Sequence, residues 1–203
     1  MAIITRGFRG KRRDSESGRV PPGQYVTDDF PVLSAGPTPK VPAENWSFVL
    51  EDTERRELLR LGWKDLLALP ATDLTVDIHC VTKWSKLGTR WKGVSFEALL
   101  QAAGREAPAS YVMASSTGGY TTNVPVADLA GGKSLIAYEY EGRPLAPEHG
   151  GPVRLLVPHL YFWKSAKWLR GLRFMDADVP GFWEAHGYHI YGDPWKEQRY
   201  DGD

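Results

Sequence analysis

The chemistry that this sequence offers begins at Cys80, the only cysteine among its 203 residues. Cys80 ends the segment Thr72–Cys80, in which apolar and polar residues alternate as in a half-buried strand. A free cysteine is often simply a small buried core residue. As a nucleophile it would need a nearby base, and the adjacent His79 lies on the opposite face of a strand. As a thiolate it would be a soft ligand for a redox metal, with a cofactor supplying the other ligands.

A second group of candidate residues surrounds Arg154, which stands within the apolar run Pro152–Pro158. An arginine in such a run is seldom left without a partner. The partner is either a carboxylate of the protein or a phosphate, which the guanidinium can bind with two parallel hydrogen bonds. His149 precedes two glycines in the same stretch and, taken alone, is typical of a hydrogen-bonding loop residue.

A third group consists of Ser165, Ala166 and Lys167, which lie between Trp163 and Trp168. A lysine beside tryptophans often lays its aliphatic stem on a ring. A hydroxyl, main-chain amides and a lysine within three positions can also hold an anionic group. Each of the three groups is a weak signal alone, and their order and spacing together indicate a bound anion more strongly.

The composition excludes several classes of protein. Lys plus Arg and Asp plus Glu each number 25, so the net charge is zero and no overall footprint for nucleic acid or an anionic membrane is present. No apolar run approaches the ~20 residues that a membrane span requires. A single cysteine also excludes an intrachain disulfide scaffold and a zinc site built from several cysteines.

Residues 1–23 are predicted to form a flexible basic tail. Five basic residues precede the first acidic residue, and Pro21-Pro22-Gly23 follows. The tail is either solvated and disordered or a short basic arm that touches a partner. No apolar stretch follows the positive charges, as a secretory signal would require, so we expect a cytoplasmic protein.

Residues 24–203 are predicted to form a single compact α+β domain of mixed short strands and helices, because strands and helices do not alternate regularly. Short helices are expected at Trp63–Leu69, at Phe96–Ala103 with Ser95 as the cap, and at Pro125–Leu129. Strands are expected at Trp46–Leu50, Thr72–Cys80, Tyr111–Ser115, Tyr120–Val124, Leu135–Tyr140 and Val153–Val157. Residues 167–174 are expected to be a strand or a short helix, residues 27–42 extended chain, and residues 81–90 a loop.

Over roughly residues 27–174 the chain resembles the molybdopterin-binding domain of the sulfite oxidase family. The stretch around Cys80 resembles the molybdenum-ligating loop of bacterial methionine sulfoxide reductase catalytic subunits, and a later stretch resembles the pterin-binding part of sulfite oxidases. The matching motifs occur in the family's order: Phe30-Pro31-Val32-Leu33, Cys80-Val81-x-x-Trp84-Ser85, Trp91-x-Gly93-Val94, Ala137-Tyr138-Glu139, His149-Gly150, Pro152-Val153-Arg154 and Ser165-Ala166-Lys167-Trp168-Leu169.

The resemblance implies a molybdenum–molybdopterin cofactor and a role for each matched position. Cys80 would be the thiolate ligand of molybdenum and the catalytic residue, and His149 would hydrogen-bond the cofactor. Arg154 would bind the pterin phosphate. Further contacts would come from Ser165, Ala166 and Lys167, and also from Ser115, for which the neighbouring Ser116 is the alternative.

The residues after Cys80 depart from the sulfite oxidase pattern, in which an arginine-rich loop suits a sulfite anion. Here residues 81–90 carry Lys83 and Arg90, which could still reach an oxyanion if they point inward. Trp84 is either a core residue or a wall of the substrate pocket, and as a wall it would favour a neutral or partly apolar substrate such as a sulfoxide or an N-oxide.

The predicted function is a molybdenum-dependent oxidoreductase that transfers an oxygen atom, with two electrons, to or from a small sulfoxide, N-oxide or sulfite-type substrate. No haem-binding domain fits in 203 residues, so the electrons are expected to pass to or from a separate partner protein. The chain is expected to act as a monomer. Two alternatives are a thiol enzyme that uses Cys80 directly and a binding module without a cofactor.

Overall fold

Two β-sheets and three short α-helices make up residues 18–203, the part of the chain that the computed structural model describes. The helices are α1 (Trp63–Ala68), α2 (Phe96–Ala102) and α3 (Val126–Leu129). The strands are β1 (Tyr25–Val26), β2 (Ser47–Glu51), β3 (Glu57–Gly62), β4 (Ala71–His79), β5 (Trp84–Ser95), β6 (Tyr111–Ser116), β7 (Thr121–Pro125), β8 (Leu135–Tyr140), β9 (Arg143–Pro144), β10 (Arg154–Leu156) and β11 (Leu169–Met175). Single 3-10 turns form at Ala43–Asn45, Pro147–His149, Phe162–Lys164, Glu184–His186 and Pro194–Lys196.

The first sheet carries most of the chemistry-bearing residues and has β5 at its centre. The strand order is β1-β5-β8-β10, while β4 also pairs with β5 and β9 pairs with β8. β1 runs parallel to β5, and every other pair in this sheet is antiparallel. Because β4 and β5 pair through His79 and Ser85, the chain between them, which contains Cys80, closes as a tight turn at the end of the sheet.

The second sheet has the order β3-β2-β11-β6-β7 and provides the larger apolar core. β11 runs parallel to β2 and antiparallel to β6, so the sheet is mixed. Alternating residues of β2 and β6 point into the core, as the period of a strand requires. Phe48, Leu50, Val112 and Ala114 are all fully buried there.

Local signals explain the helix boundaries. In α1, the Asp65 carboxylate accepts a hydrogen bond of 2.8 Å from the Gly62 amide, and Pro70 follows two residues after its end. In α2, the Ser95 hydroxyl accepts a hydrogen bond of 3.2 Å from the Ala98 amide, a cap that stabilises a helix by about 1 kcal/mol.

A second, smaller apolar cluster is rich in aromatic rings and surrounds Cys80. We call it the aromatic cluster; its buried members include Ile78, Cys80, Val81, Trp84, Trp91, Leu156, Tyr161, Phe162 and Trp163. Rings of Phe30 and Tyr140 pack against it from the N-terminal segment and from β8. The cluster therefore places large flat side chains around the cysteine.

The α+β architecture and most predicted strands are confirmed, whereas the prediction of a loop over residues 81–90 is wrong. Trp84–Ser95 forms a continuous strand of 12 residues, and only the turn of Val81, Thr82 and Lys83 separates it from β4. Lys86, Gly88 and Lys92 interrupt the apolar pattern of this strand, and the sequence alone therefore indicates a loop. Glu57–Gly62 was also not expected as a strand.

The N-terminal prediction lies largely outside the described residues, which begin at Gly18. The described end of that segment makes contacts: Arg19 pairs with Asp77 at 2.6 Å, and the Pro22 carbonyl accepts a hydrogen bond from Arg199. The division at residue 24 stays a prediction. Within residues 18–203, no helix has both the length and the apolar character needed to cross a membrane.

Candidate functional site

Cys80 sits in the turn between β4 and β5. Its amide donates to the Trp84 carbonyl at 2.9 Å, and its carbonyl accepts from the Lys83 amide at 2.9 Å. The Gln24 side chain donates to the same carbonyl at 3.1 Å. Three hydrogen bonds therefore hold the main chain on both sides of this residue, and only 8% of Cys80 is exposed.

The surroundings of the thiol favour its protonated form in the free protein. Burial raises the pKa of Cys80, and hydrogen bonds from Thr82, including one of 3.2 Å from its hydroxyl to Sγ, partly oppose this. The positive charges of Lys167 and Arg199 also act to lower this pKa. No hydrogen bond joins His79 to the thiol in the described residues: the Nδ1 of His79 lies 2.8 Å from the Ser85 hydroxyl, and burial lowers the pKa of His79 to about 4, which makes it a weak base.

Arg154 is 1% exposed and forms no ion pair with a carboxylate anywhere in residues 18–203. Its guanidinium donates to the carbonyls of His149 at 2.8 Å and Ser165 at 2.7 Å, and it lies 4.1 Å from the centre of the Phe162 ring. Burial lowers the pKa of Arg154 to about 9, so the group is still charged at neutral pH. Of the two partners considered from the sequence, the carboxylate is therefore absent from the described residues.

Lys167 brings a second positive charge to the same place. Its Nζ donates to the carbonyls of Leu33 at 2.8 Å and Glu148 at 2.7 Å. Burial, followed by the charge of Arg154, lowers the pKa of Lys167 to about 7. Gly150 makes this approach possible, because a Cβ at that position would lie 2.9 Å from the Cα of Lys167.

His149 stacks on Phe30, with ring centres 3.9 Å apart and planes 4° from parallel. Its Nδ1 is buried and has no hydrogen-bond partner. Burial, followed by the charges of Lys167 and Arg154, lowers the pKa of His149 to about 4. At neutral pH this ring is therefore uncharged and has a free polar atom facing the interior.

Ser165 and Ala166 contribute mainly through their main chains. The Ser165 carbonyl accepts from Arg154, and its hydroxyl accepts from the Val157 amide at 2.9 Å. The Ala166 carbonyl accepts from the Leu155 amide at 2.9 Å. These contacts fix the main chain directly before Lys167.

The structure does not bring Ser115 to this group. Ser115 lies on β6, and its hydroxyl donates to the Gly171 carbonyl at 3.4 Å in a surface groove of about 380 Å³. The alternation of a strand sends the next residue to the other face. Ser116 is accordingly buried, and its hydroxyl has no partner. The following Thr117 amide donates to the Trp168 carbonyl at 2.9 Å, which ties this strand end to the Lys167 segment.

Lys83 and Arg90 do not point into the aromatic cluster. Both side chains are exposed, and Arg90 pairs with Glu141 at 3.0 Å. Trp84, by contrast, is 2% exposed and packs edge-on against Phe30. Its indole N–H is buried without a partner.

Two residues near Cys80 were missed by the sequence analysis. Arg199 is 7% exposed, donates to the Val81 carbonyl at 3.0 Å and lies over the Tyr161 ring at 5.0 Å. Tyr161 is fully buried, and its hydroxyl has no partner. No local pattern marks either residue, because Arg199 meets Val81 across 118 positions of sequence.

The arrangement fits a large anionic cofactor. Cys80 offers one soft ligand, while the buried Arg154 and the half-buried Lys167 offer cationic groups that form no ion pair with a carboxylate in the described residues. Buried charges normally have a partner, so an anion is the natural occupant of such a place. The unpartnered polar atoms of His149 and Ser116 are further sites at which a polar group could bond.

Comparison with known proteins agrees with this fit. Residues 35–183 match the family described as the oxidoreductase molybdopterin binding domain, so the chain belongs to that family. The chain is an oxidoreductase, and the cofactor of its domain is molybdenum–molybdopterin. The resemblance to the sulfite oxidase family is thereby confirmed.

Individual relatives differ in length and in the activity that their names give. An uncharacterized oxidoreductase, YuiH, of Bacillus subtilis (strain 168) is 46% identical over 198 residues, which cover 97% of this chain and 100% of the relative. The mitochondrial sulfite oxidase of Homo sapiens is 24% identical, over 83% of this chain and 37% of that protein. The methionine sulfoxide reductase catalytic subunit MsrP of Campylobacter jejuni is 23% identical, over 73% of this chain and 55% of its own length.

A solved structure shares the fold. The sulfane dehydrogenase SoxCD of Paracoccus pantotrophus aligns with a TM-score of 0.62 at 19% identity, covering 82% of this chain and 51% of that chain.

Proposed function

We propose that the protein catalyses a two-electron oxygen-atom transfer on a small substrate, with Cys80 as the protein ligand of molybdenum. The observation that carries the proposal is the pairing of a buried, unique thiol with the buried Arg154 and the half-buried Lys167, neither of which has a carboxylate partner in the described residues. A thiolate suits a redox metal, and two cations suit a phosphate.

Each residue then has a defined task. Arg154 and Lys167 bind the phosphate end of the cofactor, because guanidinium and ammonium groups make charge-assisted hydrogen bonds to it. His149, Ser165 and Ala166 border the pterin. When bound, the cofactor supplies a metal that changes its oxidation state by two electrons as oxygen is transferred. The aromatic cluster excludes water from this region, which strengthens the electrostatic interactions inside it.

The substrate class follows from the side chains near Cys80. Lys83 and Arg90 face solvent and so do not form an oxyanion pocket. Trp84 and its neighbouring rings form an apolar wall, which favours a sulfoxide or an N-oxide over sulfite. The reaction needs a separate electron donor or acceptor protein, and we place it in the cytoplasm with the protein acting as a monomer.

A thiol enzyme that uses Cys80 directly is the weaker alternative. Reactive cysteines have lowered pKa values and an adjacent base. Here burial raises the pKa of Cys80, and His79 is engaged by Ser85. A binding module without a cofactor would leave Arg154 buried with its charge uncompensated, at a cost in stability.

Metal analysis tests the proposal. Protein expressed in a host that makes the pterin should contain about one molybdenum per chain, and none would refute the proposal. Steady-state rates with artificial electron carriers then compare sulfite oxidation with sulfoxide and N-oxide reduction. Sulfite as the much better substrate would refute the apolar-wall argument, and Trp84→Phe should change the preference while molybdenum is retained.

A further inference from the structure

The C-terminal residues beyond the family-matched domain return to the Cys80 turn. The match to the family ends at residue 183, yet residues 184–203 are fully described and pack on the protein. Glu184 anchors the start of this extension, where its carboxylate lies 2.6 Å from the buried Lys164 ammonium. Arg199 lies near its end and is 7% exposed.

Arg199 joins three separate segments of the chain. One Nη donates to the carbonyl of Val81, the residue after Cys80, at 3.0 Å, and the other donates to the Pro22 carbonyl at 3.3 Å. The flat face of the guanidinium covers the Tyr161 ring at 5.0 Å. Through these contacts the Arg199 side chain connects the C-terminal extension to the N-terminal segment, the Cys80 turn and the aromatic cluster.

A nearby carboxylate does not explain the burial of Arg199. The Glu197 carboxylate is 3.5 Å away and half exposed, so it is a weak partner. The short contacts of the buried guanidinium are to main-chain carbonyls instead. A rigid planar donor that bonds to main chain on two sides fixes the distance between those segments.

The turn that Arg199 holds needs such support. Lys83 has a φ of 76°, a left-handed conformation that costs a lysine energy. The turn itself contributes the Lys83 to Cys80 hydrogen bond, and Gln24 adds a bond to the Cys80 carbonyl. Arg199 bonds the next carbonyl along, so the N-terminal and C-terminal segments hold adjacent peptide groups.

We propose that Arg199 is a positioning residue that fixes the Cys80 turn, so that the C-terminal extension completes the site. The proposal rests on the proposed function in its assignment of Cys80 as the metal ligand. A ligand must be held within about 0.5 Å of its productive position, which a turn with a strained residue at Lys83 does not ensure alone. Arg199 acts through Val81 and does not itself touch the metal.

Hydrogen exchange on the protein without cofactor tests the contact directly. Arg199→Met should speed exchange of the Cys80 and Lys83 amides about tenfold to a hundredfold, because a hydrogen bond from a charged group to that turn is lost. Arg199→Lys should give an intermediate rate, since lysine keeps the charge but not the planar fork. Lys196→Met is the matched control, because Lys196 is exposed on the same extension. Unchanged exchange in the turn for both Arg199 variants would overturn the proposal.

A second readout uses the protein loaded with cofactor. Arg199→Lys should keep its molybdenum but shift the molybdenum–sulfur absorption band and lower kcat, with the Lys196→Met spectrum unchanged. An unaltered band and kcat with only a lower Tm would assign Arg199 a purely structural role and refute the proposal. Wild-type protein without molybdenum would refute the proposed function instead, and the exchange result would still decide whether Arg199 holds the turn.

Discussion

Two buried cations in one stretch of chain, Lys164 and Arg154, lie in opposite electrostatic surroundings. Lys164 lies 2.6 Å from the Glu184 carboxylate and also donates to the carbonyls of Asn123 at 3.0 Å and Ile190 at 2.6 Å. Arg154 is buried to the same degree, but its acceptors are neutral carbonyls alone. Burial lowers the pKa of Lys164, and the charge of Glu184 opposes that shift, whereas no carboxylate does so for Arg154.

The difference separates a structural ion pair from a binding site. Lys164 has its counter-charge within the protein, and the pair ties the C-terminal extension to β7 through Asn123. The positive region formed by Arg154 and Lys167 has no such counter-charge in the described residues, which is why we propose it as an anion-binding site. Burial alone therefore does not indicate an anion-binding site, whereas burial without a compensating charge supports the proposal of one at Arg154.

The largest expected effect is the loss of turnover when the Cys80 thiol of the proposed binding site is replaced. Cys80→Ser removes the proposed thiolate ligand and should lower turnover by more than the ~100-fold that loss of an outer partner of a metal ligand costs. Pterin should still be present, because in the proposed arrangement Arg154 and Lys167 bind its phosphate independently of Cys80. Turnover and pterin content per chain are the measurements, and near-wild-type activity would refute the ligand assignment.

The next effect is on the free energy of unfolding, which should fall more when Lys164 is replaced than when Arg154 is replaced. Lys164→Met leaves the buried Glu184 carboxylate unpaired and should lower the free energy of unfolding by about 3–5 kcal/mol. Arg154→Met in protein without cofactor should cost at most about 2 kcal/mol, because relief of an uncompensated charge offsets the lost hydrogen bonds.

Denaturant unfolding of the cofactor-free proteins measures both changes. The double variant Lys164→Met/Glu184→Leu is the control and should recover much of the lost stability, because no buried charge is then left alone. If Arg154→Met were the more destabilising substitution, the distinction between the two cations would be wrong.

The smallest effect is a pH-dependent stabilisation by sulfate, a simple anion for the Arg154 and Lys167 region. The pKa of Lys167 is lowered to about 7, so its positive charge is present below pH 7 and lost above it. Sulfate at ten times its Kd stabilises by about 1.4 kcal/mol, or a few degrees in Tm, and should do so more at pH 6 than at pH 8.5. His149 does not contribute to the change, because its pKa of about 4 keeps it neutral throughout.

Without sulfate, the contribution of Lys167 to the stability of the cofactor-free protein should instead increase with pH. The lowered pKa of Lys167 means that the unfolded chain binds more protons between pH 7 and about pH 10.4, so this group's contribution to stability rises with pH over that range. Lys167→Met should remove both trends, as thermal unfolding at several pH values would show. A sulfate effect that is equal at both pH values would contradict the role of Lys167.

The sequence predicted the elements whose patterns are local. The alternation of Thr72–Cys80 and the Ser95 cap each correspond to an element of the structure. β5 was missed because its pairing with β4, β1 and β8, rather than its own alternation, stabilises it. Strand stability that comes from neighbours leaves little trace in the strand's own sequence.

The same contrast applies to the site. Arg154 was identifiable because a charged residue within an apolar run stands out, and the structure gives it the predicted burial. Ser115 and Ser116 could not be separated until the register of β6 was known. Arg199 depends on a contact with Val81 that only the folded chain creates.

The most direct test of the account is the pterin and molybdenum content per folded chain of Arg154→Met, with Arg154→Lys beside it. Loss of a charge-assisted bidentate contact should reduce the content about tenfold or more, and lysine should restore it only in part. The exposed Arg90→Met serves as the control and should keep wild-type content. Wild-type cofactor content in folded Arg154→Met would contradict the central claim that this uncompensated cation is the cofactor's anion site.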